Sequence, residues 1–242
     1  MDVLVIVPTY NEIENIGLLV QRILAAHDRV QVLVVDDNSP DGTGARADAL
    51  SAEEPSLHVL HRQGKLGLGS AYCSGFDYAL RAGYDRVFTM DADFSHPPES
   101  IPAMIEKAES CDLVIGSRYV AGGAVVGSPW PRRLISRGAN LLATRLLGLR
   151  AGDCTAGFRC YRRQLLEQVG YHDVKSSGYS FLIEMLYLCQ RAGYSVAEVP
   201  ITFRDRAMGR SKISQTEIRR ALLTVLRLAA VGRAPARSRQ GG

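Results

Sequence analysis

The segment VFTMDADFSHPP, residues 87–98, joins a short apolar run to two carboxylates that stand one residue apart, Asp91 and Asp93. The prolines at its end are typical of the start of a helix. Side chains two positions apart on an extended segment point to the same side, so both carboxylates can approach one cation. Oxygen ligands without histidine or cysteine suit a hard ion such as Mg²⁺ or Mn²⁺. The segment therefore predicts a strand that ends in a metal site, although a helix-capping acid beside a solvated acid gives the same pattern.

Apolar runs alternate with helix-like stretches on both sides of this segment. Runs rich in Val, Ile and Leu predict strands at residues 2–7, 30–36, 56–60, 85–91 and 112–117. The spacing between them predicts helices at about residues 13–26, 43–52, 68–82 and 99–109. Such an alternation indicates an α/β fold with a mostly parallel sheet that is buried on both faces. Ligands of these sheets bind beyond the carboxyl ends of the strands.

Polar residues stand at four of the predicted strand ends, and we expect them to meet at one edge of the sheet. They are Pro8 to Glu12, Asp36 to Ser39, Asp91 to Asp93 and Ser117 to Tyr119. An acid at the position of Asp36 or Asp37 commonly reaches the ribose or base of a nucleotide. A turn with the sequence DDNSPDG accounts for the same two acids structurally, so both interpretations stay open.

The second half of the chain follows a looser pattern after a glycine-rich link. Its predicted elements are a helix at about 134–149, a short strand near 158–161, a helix at 178–192, a strand at 194–200 and a last amphipathic helix at about 213–231. Neither an internal repeat nor a linker is visible, so we expect a single domain over residues 1–231. We expect the basic tail, residues 232–242, to be disordered.

Length and composition fit a water-soluble globular chain. The 242 residues include 46% hydrophobic and 22% charged residues, which argues against wholesale disorder and against a membrane-embedded bundle. The N-terminus lacks the basic flank of a signal peptide, so we expect a cytoplasmic protein. Five cysteines without CxxC spacing argue against a disulfide framework or a zinc site. Neither GxGxxG nor GxxxxGK[ST] occurs, which argues against a redox dinucleotide enzyme and a P-loop enzyme.

Positive charge is concentrated in two zones, although the net charge of +4 is modest. Residues 113–152 contain six arginines and no Asp or Glu, and a second basic zone runs from Arg204 to the tail. The positive electrostatic field of such a zone attracts the phosphates of nucleic acid, lipid headgroups or a small substrate. A solvated basic face would show the same composition.

Eight short motifs follow one another between residues 3 and 214. They are VPTYNE (7–12), VVDDNSPDGT (34–43), KLGLGSAY (65–72), MDADFSHPPE (90–99), GSRY (116–119), DCTAGFRCY (153–161), GYSFLIEM (178–185) and RAMGRSKIS (206–214). In this order they resemble the polyprenyl-phosphate mannosyltransferases, which include dolichyl-phosphate mannose synthase and belong to the GT-A glycosyltransferases of family 2. The resemblance implies a Rossmann-like GT-A fold with a nucleotide-sugar-binding half at 1–118 and an acceptor-side half at 119–231.

The resemblance also implies roles for individual residues. The donor, GDP-mannose, would be bound by Pro8, Tyr10, Glu12, Asp37, Lys65, Gly67, Asp91, Ala92, Asp93, Arg206 and Lys212. Asp91 and Asp93 would hold Mg²⁺ or Mn²⁺ against the diphosphate. The acceptor phosphate would be received by Arg118, Arg132, Arg133 and Ser136. The residues implied in catalysis are Asp91, Asp93, Arg118 and Arg206.

The implied reaction transfers mannose from GDP-mannose to a polyprenyl phosphate with inversion. Its nucleophile is an ionised phosphate oxygen, and two like charges about 4 Å apart repel by roughly 4 kcal/mol at an effective dielectric near 20. Cations between the two anions are therefore needed, whereas a general base is not. The closest alternative keeps the site and uses UDP-glucose or another nucleotide sugar. A non-catalytic module that binds nucleic acid or an anionic membrane is a further alternative, against which the acidic strand ends argue.

Two features depart from the family pattern. Leu182 stands where the family usually carries glutamine, and the C-terminal membrane span of many relatives is missing. Since the acceptor is a lipid, we expect peripheral association with the cytoplasmic face of a membrane, through the helices near 134–149 and 213–231 or through a separate membrane protein. Packing on the core is the alternative role of both helices. Glu184 either orders the acceptor side or pairs with an arginine, and Asp153 positions the sugar, positions an arginine or caps a turn.

Overall fold

A central β-sheet carries helices on both faces in the computed structural model, which describes residues 1–205 and 215–232. The strands are β1 (Val3–Thr9), β2 (Val30–Asp36), β3 (Leu57–His61), β4 (Arg86–Thr89), β5 (Leu113–Ser117), β6 (Ala124–Val126), β7 (Arg159–Arg162), β8 (Val196–Pro200) and β9 (Thr202–Arg204). The helices are α1 (Ile13–Leu24), α2 (Thr43–Glu53), α3 (Leu68–Ala82), α4 (Ile101–Ala108), α5 (Trp130–Leu147), α6 (Arg163–Gln168), α7 (Tyr179–Arg191) and α8 (Gln215–Gly232).

Parallel pairing dominates the sheet. Within the described residues, seven strands follow the order β3-β2-β1-β4-β7-β5-β8. All neighbours run parallel except β7, which is antiparallel to both β4 and β5. The expected mostly parallel α/β sheet is thus confirmed. Since β7 and β8 come from the second half of the chain, both halves contribute to one sheet.

Alternate residues of the central strands face opposite layers of helices. In β1, Leu4 and Ile6 belong to the core layer that contains α3, whereas Val3, Val5 and Val7 belong to the layer that contains α1. All five side chains are fully buried. A strand covered on both faces needs apolar residues at successive positions, which is why β1 and β2 are continuous runs of Val, Ile and Leu.

Three short elements were not predicted from the sequence. Strands β6 and β9 have three residues each and pair in parallel as a separate small sheet, and α6 has six residues. Elements of this length show too little periodicity to be recognised, and β6 depends on a partner that is distant in the chain. The loop that carries Arg206 and Lys212 and most of the basic tail (residues 206–214 and 233–242) lie outside the described residues.

The acidic turn after β4, residues 91–96, differs from the sequence prediction. Strand β4 ends at Thr89, and the chain then bends through Phe94, whose φ of 59° lies in the left-handed region. The backbone N–H of Asp91 donates to Nδ1 of His96 at 3.1 Å, which closes the turn. The expectation that Asp91 and Asp93 lie on an extended segment was therefore wrong, and strand alternation does not decide their directions.

Helix α3 approaches β1 closely at a glycine. A Cβ atom placed on Gly75 would lie 2.7 Å from both Cδ1 and Cγ2 of Ile6, whose side chain is fully buried. One more methyl group there must displace Ile6 or move the helix away from the sheet. Gly138 in α5 offers a contrast, because a Cβ placed there would meet no described atom within 4 Å apart from its chain neighbours and the adjacent backbone of its own helix.

We expect opposite effects from the same substitution at these two glycines. Gly75→Ala should lower the free energy of unfolding by about 1 to 2 kcal/mol, because overpacking outweighs the gain in helix propensity. Gly138→Ala should raise it by about 0.5 to 1 kcal/mol, because alanine restricts the unfolded chain without a clash. Urea denaturation measures both changes, and equal effects would show that the contact with Ile6 is unimportant.

Candidate functional site

The carboxyl ends of β1, β2 and β4 meet at one edge of the sheet, as expected. Thr9 stands opposite Asp36 in the register of β1 and β2 and donates its hydroxyl to that carboxylate at 3.0 Å. The end of β5, which leads into Arg118, is separated from β4 by β7. The segment that enters β7, residues 153–157, is called the connecting turn below, because it lies between the acidic turn and Arg118.

Asp36 is used by its own loop. Its buried carboxylate accepts hydrogen bonds from the hydroxyl of Thr9, from the N–H of Ser39 at 3.0 Å and from the hydroxyl of Ser39 at 2.6 Å. Of the two interpretations left open for this residue, the structural one is confirmed. The loop that Asp36 shapes presents the next acid, Asp37.

Asp37 faces the KLGLG turn, residues 65–69. Its Oδ1 lies 2.8 Å from Nη1 of Arg62, and its Oδ2 accepts the N–H of Leu66 at 3.1 Å. Burial raises the pKa of Asp37, and Arg62 opposes this shift. Arg62 also donates to Ser70 at 2.6 Å. Arg62 was not predicted from the sequence, because its partner is decided by the pairing of β2 with β3 and not by any local motif.

Other residues expected at the donor lie close to this turn. Nζ of Lys65 lies 4.0 Å from the ring centre of Tyr10, which is a cation–π distance. Gly67 has a φ of 98°, a conformation that L side chains rarely adopt, and the chain enters α3 from it. Pro8 lies in β1, and Glu12 directly precedes α1. The structure thus places Tyr10 and Glu12 on the loop after β1 and Lys65 and Gly67 on the loop after β3, with Pro8 near the end of β1 itself.

Asp91 is oriented by a buried tyrosine. Tyr72 of α3 donates its hydroxyl to Oδ1 of Asp91 at 3.2 Å. Burial, with Asp91 as the second cause, raises the pKa of Tyr72 well above its ordinary value, so the hydroxyl keeps its proton. Burial lowers the pKa of His96, and the neutral ring accepts the N–H of Asp91 through Nδ1. A Cβ placed on Gly157 would lie 3.5 Å from Oδ1 of Asp91, which brings the connecting turn against this carboxylate.

Asp93 supplies the second carboxylate of the acidic turn. Its Oδ1 accepts the N–H of Ser95 at 3.0 Å, and Ala92 between the two acids is buried. The hydroxyl of Ser95 is buried and has no hydrogen-bond partner among the described residues. Over those residues, no group of three or more His, Cys, Asp or Glu forms a candidate metal site. Two carboxylates and a buried hydroxyl are oxygen donors, which fits a hard ion that takes its other ligands from phosphate and water.

Arg118 is held in a bidentate pair with Asp153. Its Nε and Nη2 donate to Oδ2 and Oδ1 of Asp153, both at 2.7 Å, and Nη2 also donates to Thr155 at 2.7 Å. Asp153 is fully buried; desolvation alone would raise the pKa of its carboxyl, but Arg118 lowers it below its ordinary value. Of the roles considered for Asp153, the positioning of an arginine is confirmed.

The connecting turn is attached to a buried guanidinium. Arg159 of β7 is fully buried and donates to the carbonyl oxygens of Cys154, Ala156 and Leu182, each at 2.8 Å. Leu182 lies in α7, and its side chain belongs to the apolar core. The position where the family usually carries glutamine therefore packs in the core here, and Arg159 joins the turn to α7.

Two further side chains fix the start of the connecting turn. Glu198 of β8 accepts the N–H groups of Gly152 and Asp153 at 2.7 and 3.0 Å. Asn140 of α5 accepts the N–H of Cys154 at 2.9 Å. A strand and a helix from the second half of the chain thus hold the turn that positions Arg118.

A cleft of about 440 Å³ opens between β6 and the first turns of α5, and we call it the arginine cleft. Arg118, Tyr119, Arg133 and Arg137 contribute its polar lining. The hydroxyl of Tyr119 lies 2.9 Å from that of Ser136. The structure thus brings Arg118, Arg133 and Ser136 into one region as expected, and it adds Arg137, which was not singled out.

Two of the remaining expected residues lie outside the part of the chain that the structure describes. Arg132 lies in α5, and Arg206 and Lys212 lie outside the described residues. Glu184 of α7 pairs with Arg227 of α8 at 2.5 Å, so the arginine-pairing role considered for this acid is confirmed. This pair joins two helices of the second half.

Helices α5 and α8 pack against the core with one face and expose apolar side chains on another. Val225 and Leu228 of α8 and Ala143 of α5 are buried. Among the side chains whose burial is described, the exposed large apolar residues of the two helices are Trp130, Leu134, Ile135, Leu141, Leu142, Leu146, Leu222, Leu223 and Leu226. In the part of the chain that the structure describes, no helix combines the length and apolar character needed to cross a bilayer.

Comparison with solved structures identifies the fold as GT-A-like. Glucosyl-3-phosphoglycerate synthase from Mycobacterium tuberculosis, in complex with Mn²⁺, UDP and glucosyl-3-phosphoglycerate, matches 97% of this chain and 81% of its own chain, with a TM-score of 0.69 at 22% identity. The same enzyme in complex with phosphoglyceric acid gives a TM-score of 0.70 at 21% identity over 97% of this chain and 81% of that chain. At these identities the likeness concerns the fold.

Sequence comparison gives the family. Residues 4–170 match the family model described as Glycosyl transferase family 2, and the chain belongs to that family. It is 49% identical over 92% of its length to the polyprenol monophosphomannose synthase of Mycolicibacterium smegmatis, of which it covers 84%. It is 47% identical over 94% of its length to the undecaprenyl-phosphate mannosyltransferase of Micrococcus luteus, of which it covers 93%. The family resemblance read from the motifs is confirmed.

Replacing Asp153 with asparagine removes the counter-charge of a largely buried guanidinium. We expect Asp153→Asn to lower the free energy of unfolding near neutral pH by about 3 kcal/mol, because a broken buried pair leaves an uncompensated charge. Urea denaturation measures the change. Asp48→Asn is the control, because Asp48 and its partner His61 are both exposed, and its effect should stay within about 0.5 kcal/mol.

The effect of Asp153→Asn should also depend on pH. In the folded protein the pKa of Asp153 lies below its ordinary value of 3.8, so the ionised carboxylate stabilises the fold above that value. This contribution is lost as the pH falls through the folded pKa. The difference between the two proteins should therefore shrink on acidification below 3.8. A difference that stays constant there would contradict the role of the ionised pair.

Proposed function

We propose that this chain transfers mannose from GDP-mannose to a polyprenyl phosphate with inversion, which gives a β-linked polyprenyl-phosphate mannose. Two relatives that share about half of its residues are named for mannosyl transfer of this kind, which supports the proposal. The observation that carries it is the charge distribution around the connecting turn, where Gly157 lies against Asp91 and Asp153 holds Arg118. An acidic turn and an arginine-lined cleft on opposite sides of one rigid segment suit a reaction between two anions.

The nucleoside of the donor binds between the loop after β1 and the KLGLG turn. Asp37 is fixed by Arg62 and by the N–H of Leu66, so its carboxylate is oriented before a ligand arrives. Tyr10 and Lys65 already contact each other on this side. Pro8, Glu12 and Gly67 border the same region.

The acidic turn holds a divalent cation, Mg²⁺ or Mn²⁺, through Asp91 and Asp93. The oxygen-only donor set and the buried hydroxyl of Ser95 support this assignment. When bound, such an ion neutralises the negative charge of the departing diphosphate. Tyr72 keeps the carboxylate of Asp91 in one orientation.

The arginine cleft binds the phosphate of the acceptor. Arg118 and Arg133 line the cleft and supply hydrogen-bond donors there. The hydroxyl of Ser136 lies beside that of Tyr119, which also lines the cleft, and Arg132 lies in the same helix as Arg133 and Ser136. The attacking phosphate oxygen is already ionised, so no side chain has to remove a proton from it. Attack from the face opposite to the departing GDP inverts the anomeric carbon.

We infer that the protein works at a membrane, because its proposed acceptor is a lipid, and we propose the cytoplasmic face as its location. The exposed leucines of α5 and α8 support direct contact of these helices with the bilayer interface, next to the arginine cleft. Alternatively, a separate membrane protein binds the same apolar faces and recruits the chain to the membrane. Sedimentation with lipid vesicles tests direct contact, and binding only to native membranes would favour the protein partner.

A transfer assay tests the proposed reaction. The purified chain is incubated with Mg²⁺ or Mn²⁺, a polyprenyl phosphate and labelled GDP-mannose, UDP-glucose or UDP-N-acetylglucosamine, and label is measured in an organic extract. We expect transfer from GDP-mannose alone, abolished by a chelator, with a β-linkage by NMR. Transfer from UDP-glucose and not from GDP-mannose would show that the donor is UDP-glucose. Absence of transfer from every donor, even with native membranes added, would refute the proposal.

We expect Tyr72→Phe to weaken binding of the divalent cation. The substitution keeps the ring and removes the hydroxyl that orients Asp91, and loss of such a partner typically costs about tenfold in metal affinity. Titration with Mn²⁺ in the presence of GDP, followed by electron paramagnetic resonance of the free ion, measures the affinity without any turnover.

Tyr84→Phe is the matched control for this prediction. Tyr84 precedes β4 and donates its hydroxyl to Gln31 at 2.6 Å, so its loss leaves the acidic turn intact. The affinity of the Tyr84→Phe variant for Mn²⁺ should equal that of the wild type. Equal affinities for the two variants would mean that the Tyr72 hydroxyl does not orient a metal ligand.

A further inference from the structure

Four residues of α5 form one side of the arginine cleft. Trp130, Arg133, Leu134 and Arg137 follow the spacing i, i+3, i+4 and i+7, which places them on one face of the helix. Two of them are cations and two are large apolar residues. Among the described residues that line the cleft there is no acid. This face is therefore both positively charged and apolar.

Arg118 contributes donors to the cleft but little net charge. Nε and Nη2 of its guanidinium donate to the two carboxylate oxygens of Asp153, each at 2.7 Å, and Asp153 is fully buried. A carboxylate this close cancels most of the field that a phosphate would experience from Arg118. The positive charge that attracts an anion into the cleft must therefore come from other arginines.

Arg137 is placed to supply that charge. Its Cζ lies 5.6 Å from the ring centre of Tyr119, and Cζ of Arg118 lies 5.1 Å from the same ring. The ring therefore contacts both guanidinium groups and joins Arg137 to the ordered pair of Arg118 and Asp153. In the described part of the chain, neither Arg133 nor Arg137 forms an ion pair with a carboxylate.

We propose that Arg137, together with Arg133, provides the net charge that binds the phosphate monoester of the acceptor, while Arg118 serves as a rigid donor fixed by Asp153. Trp130 and Leu134 then receive the first apolar units of the lipid chain. This inference rests on the proposed function and assigns to it a binding residue, Arg137, which no sequence motif indicated. The ligand class is a phosphate monoester that carries an apolar tail.

The test compares Arg137→Ala with Arg145→Ala. Arg145 is an exposed arginine two helical turns further along α5 and does not line the arginine cleft. Binding of farnesyl phosphate, a short soluble prenyl phosphate, is measured by calorimetry without donor. Because charge-assisted hydrogen bonds are lost, we expect Arg137→Ala to weaken binding by at least about tenfold. Arg145→Ala should leave it within about twofold of the wild type.

Three additional arms separate the cleft from general attraction to anions. Farnesol, which has no phosphate, should bind equally to both variants and to the wild type. Vesicles containing anionic phosphatidylglycerol should sediment both variants to the same extent. Arg137→Lys keeps the charge and loses the planar fork, so its affinity for farnesyl phosphate should lie between those of the wild type and Arg137→Ala. Circular dichroism and urea denaturation confirm that each variant is folded.

The outcome is independent of the transfer assay. Selective loss of farnesyl phosphate binding in Arg137→Ala would support the inference even if the transfer assay showed no transfer from any donor. Equal affinities of Arg137→Ala and Arg145→Ala would overturn it. A loss of vesicle binding in Arg137→Ala without a loss of farnesyl phosphate binding would also overturn it, because Arg137 would then contact headgroups and not the acceptor. If transfer is observed, the KM for prenyl phosphate should rise in Arg137→Ala while the KM for the donor stays unchanged.

Discussion

The geometry of the candidate site depends on a guanidinium that lies entirely inside the protein. Arg159 is fully buried and is satisfied by three carbonyl oxygens, two from the connecting turn and one from α7. A buried charge is costly unless it is hydrogen-bonded, so any movement of these carbonyls would expose an unsatisfied cation to an apolar interior. This constraint keeps the connecting turn in one conformation. The positions of Asp153 and Gly157 follow from it.

The rigid turn separates two regions of opposite charge. On one side Gly157 lies against Asp91, and on the other side Asp153 holds Arg118. Two anions that react with each other need their counter-charges fixed in advance, because reorganising charged groups during the reaction would add to the barrier. Tyr72 orients the carboxylate, and the buried pair with Asp153 orients the guanidinium. Both arrangements are set by packing before any ligand binds.

The second half of the chain contributes support and surface to this site. Glu198 and Asn140 hold the connecting turn from β8 and α5, and the pair of Glu184 and Arg227 joins α7 to α8. Helices α5 and α8 are thereby attached to the core through one face, while the leucines on their other faces stay exposed. The apolar surface and the arginine cleft share helix α5, so a lipid at this surface has its phosphate close to the cations of the same helix.

The sequence by itself determined the layers of the fold, the edge of the sheet that bears the acids, and the family. Continuous runs of Val, Ile and Leu require a strand buried on both faces, and ordered motifs are read without knowledge of contacts. Only the tertiary structure decided that Asp91 and Asp93 lie on a bend, that Asp153 engages Arg118, that Arg62 pairs with Asp37, and that Arg137 lines the arginine cleft. The contacts of Asp153, Arg62 and Arg137 depend on residues far apart in the chain, whereas the bend is local, and its left-handed residue Phe94 has no signal in the apolar pattern. Local patterns encode the local backbone, whereas the insertion of β7 antiparallel between β4 and β5 brings positions 35 residues apart into contact.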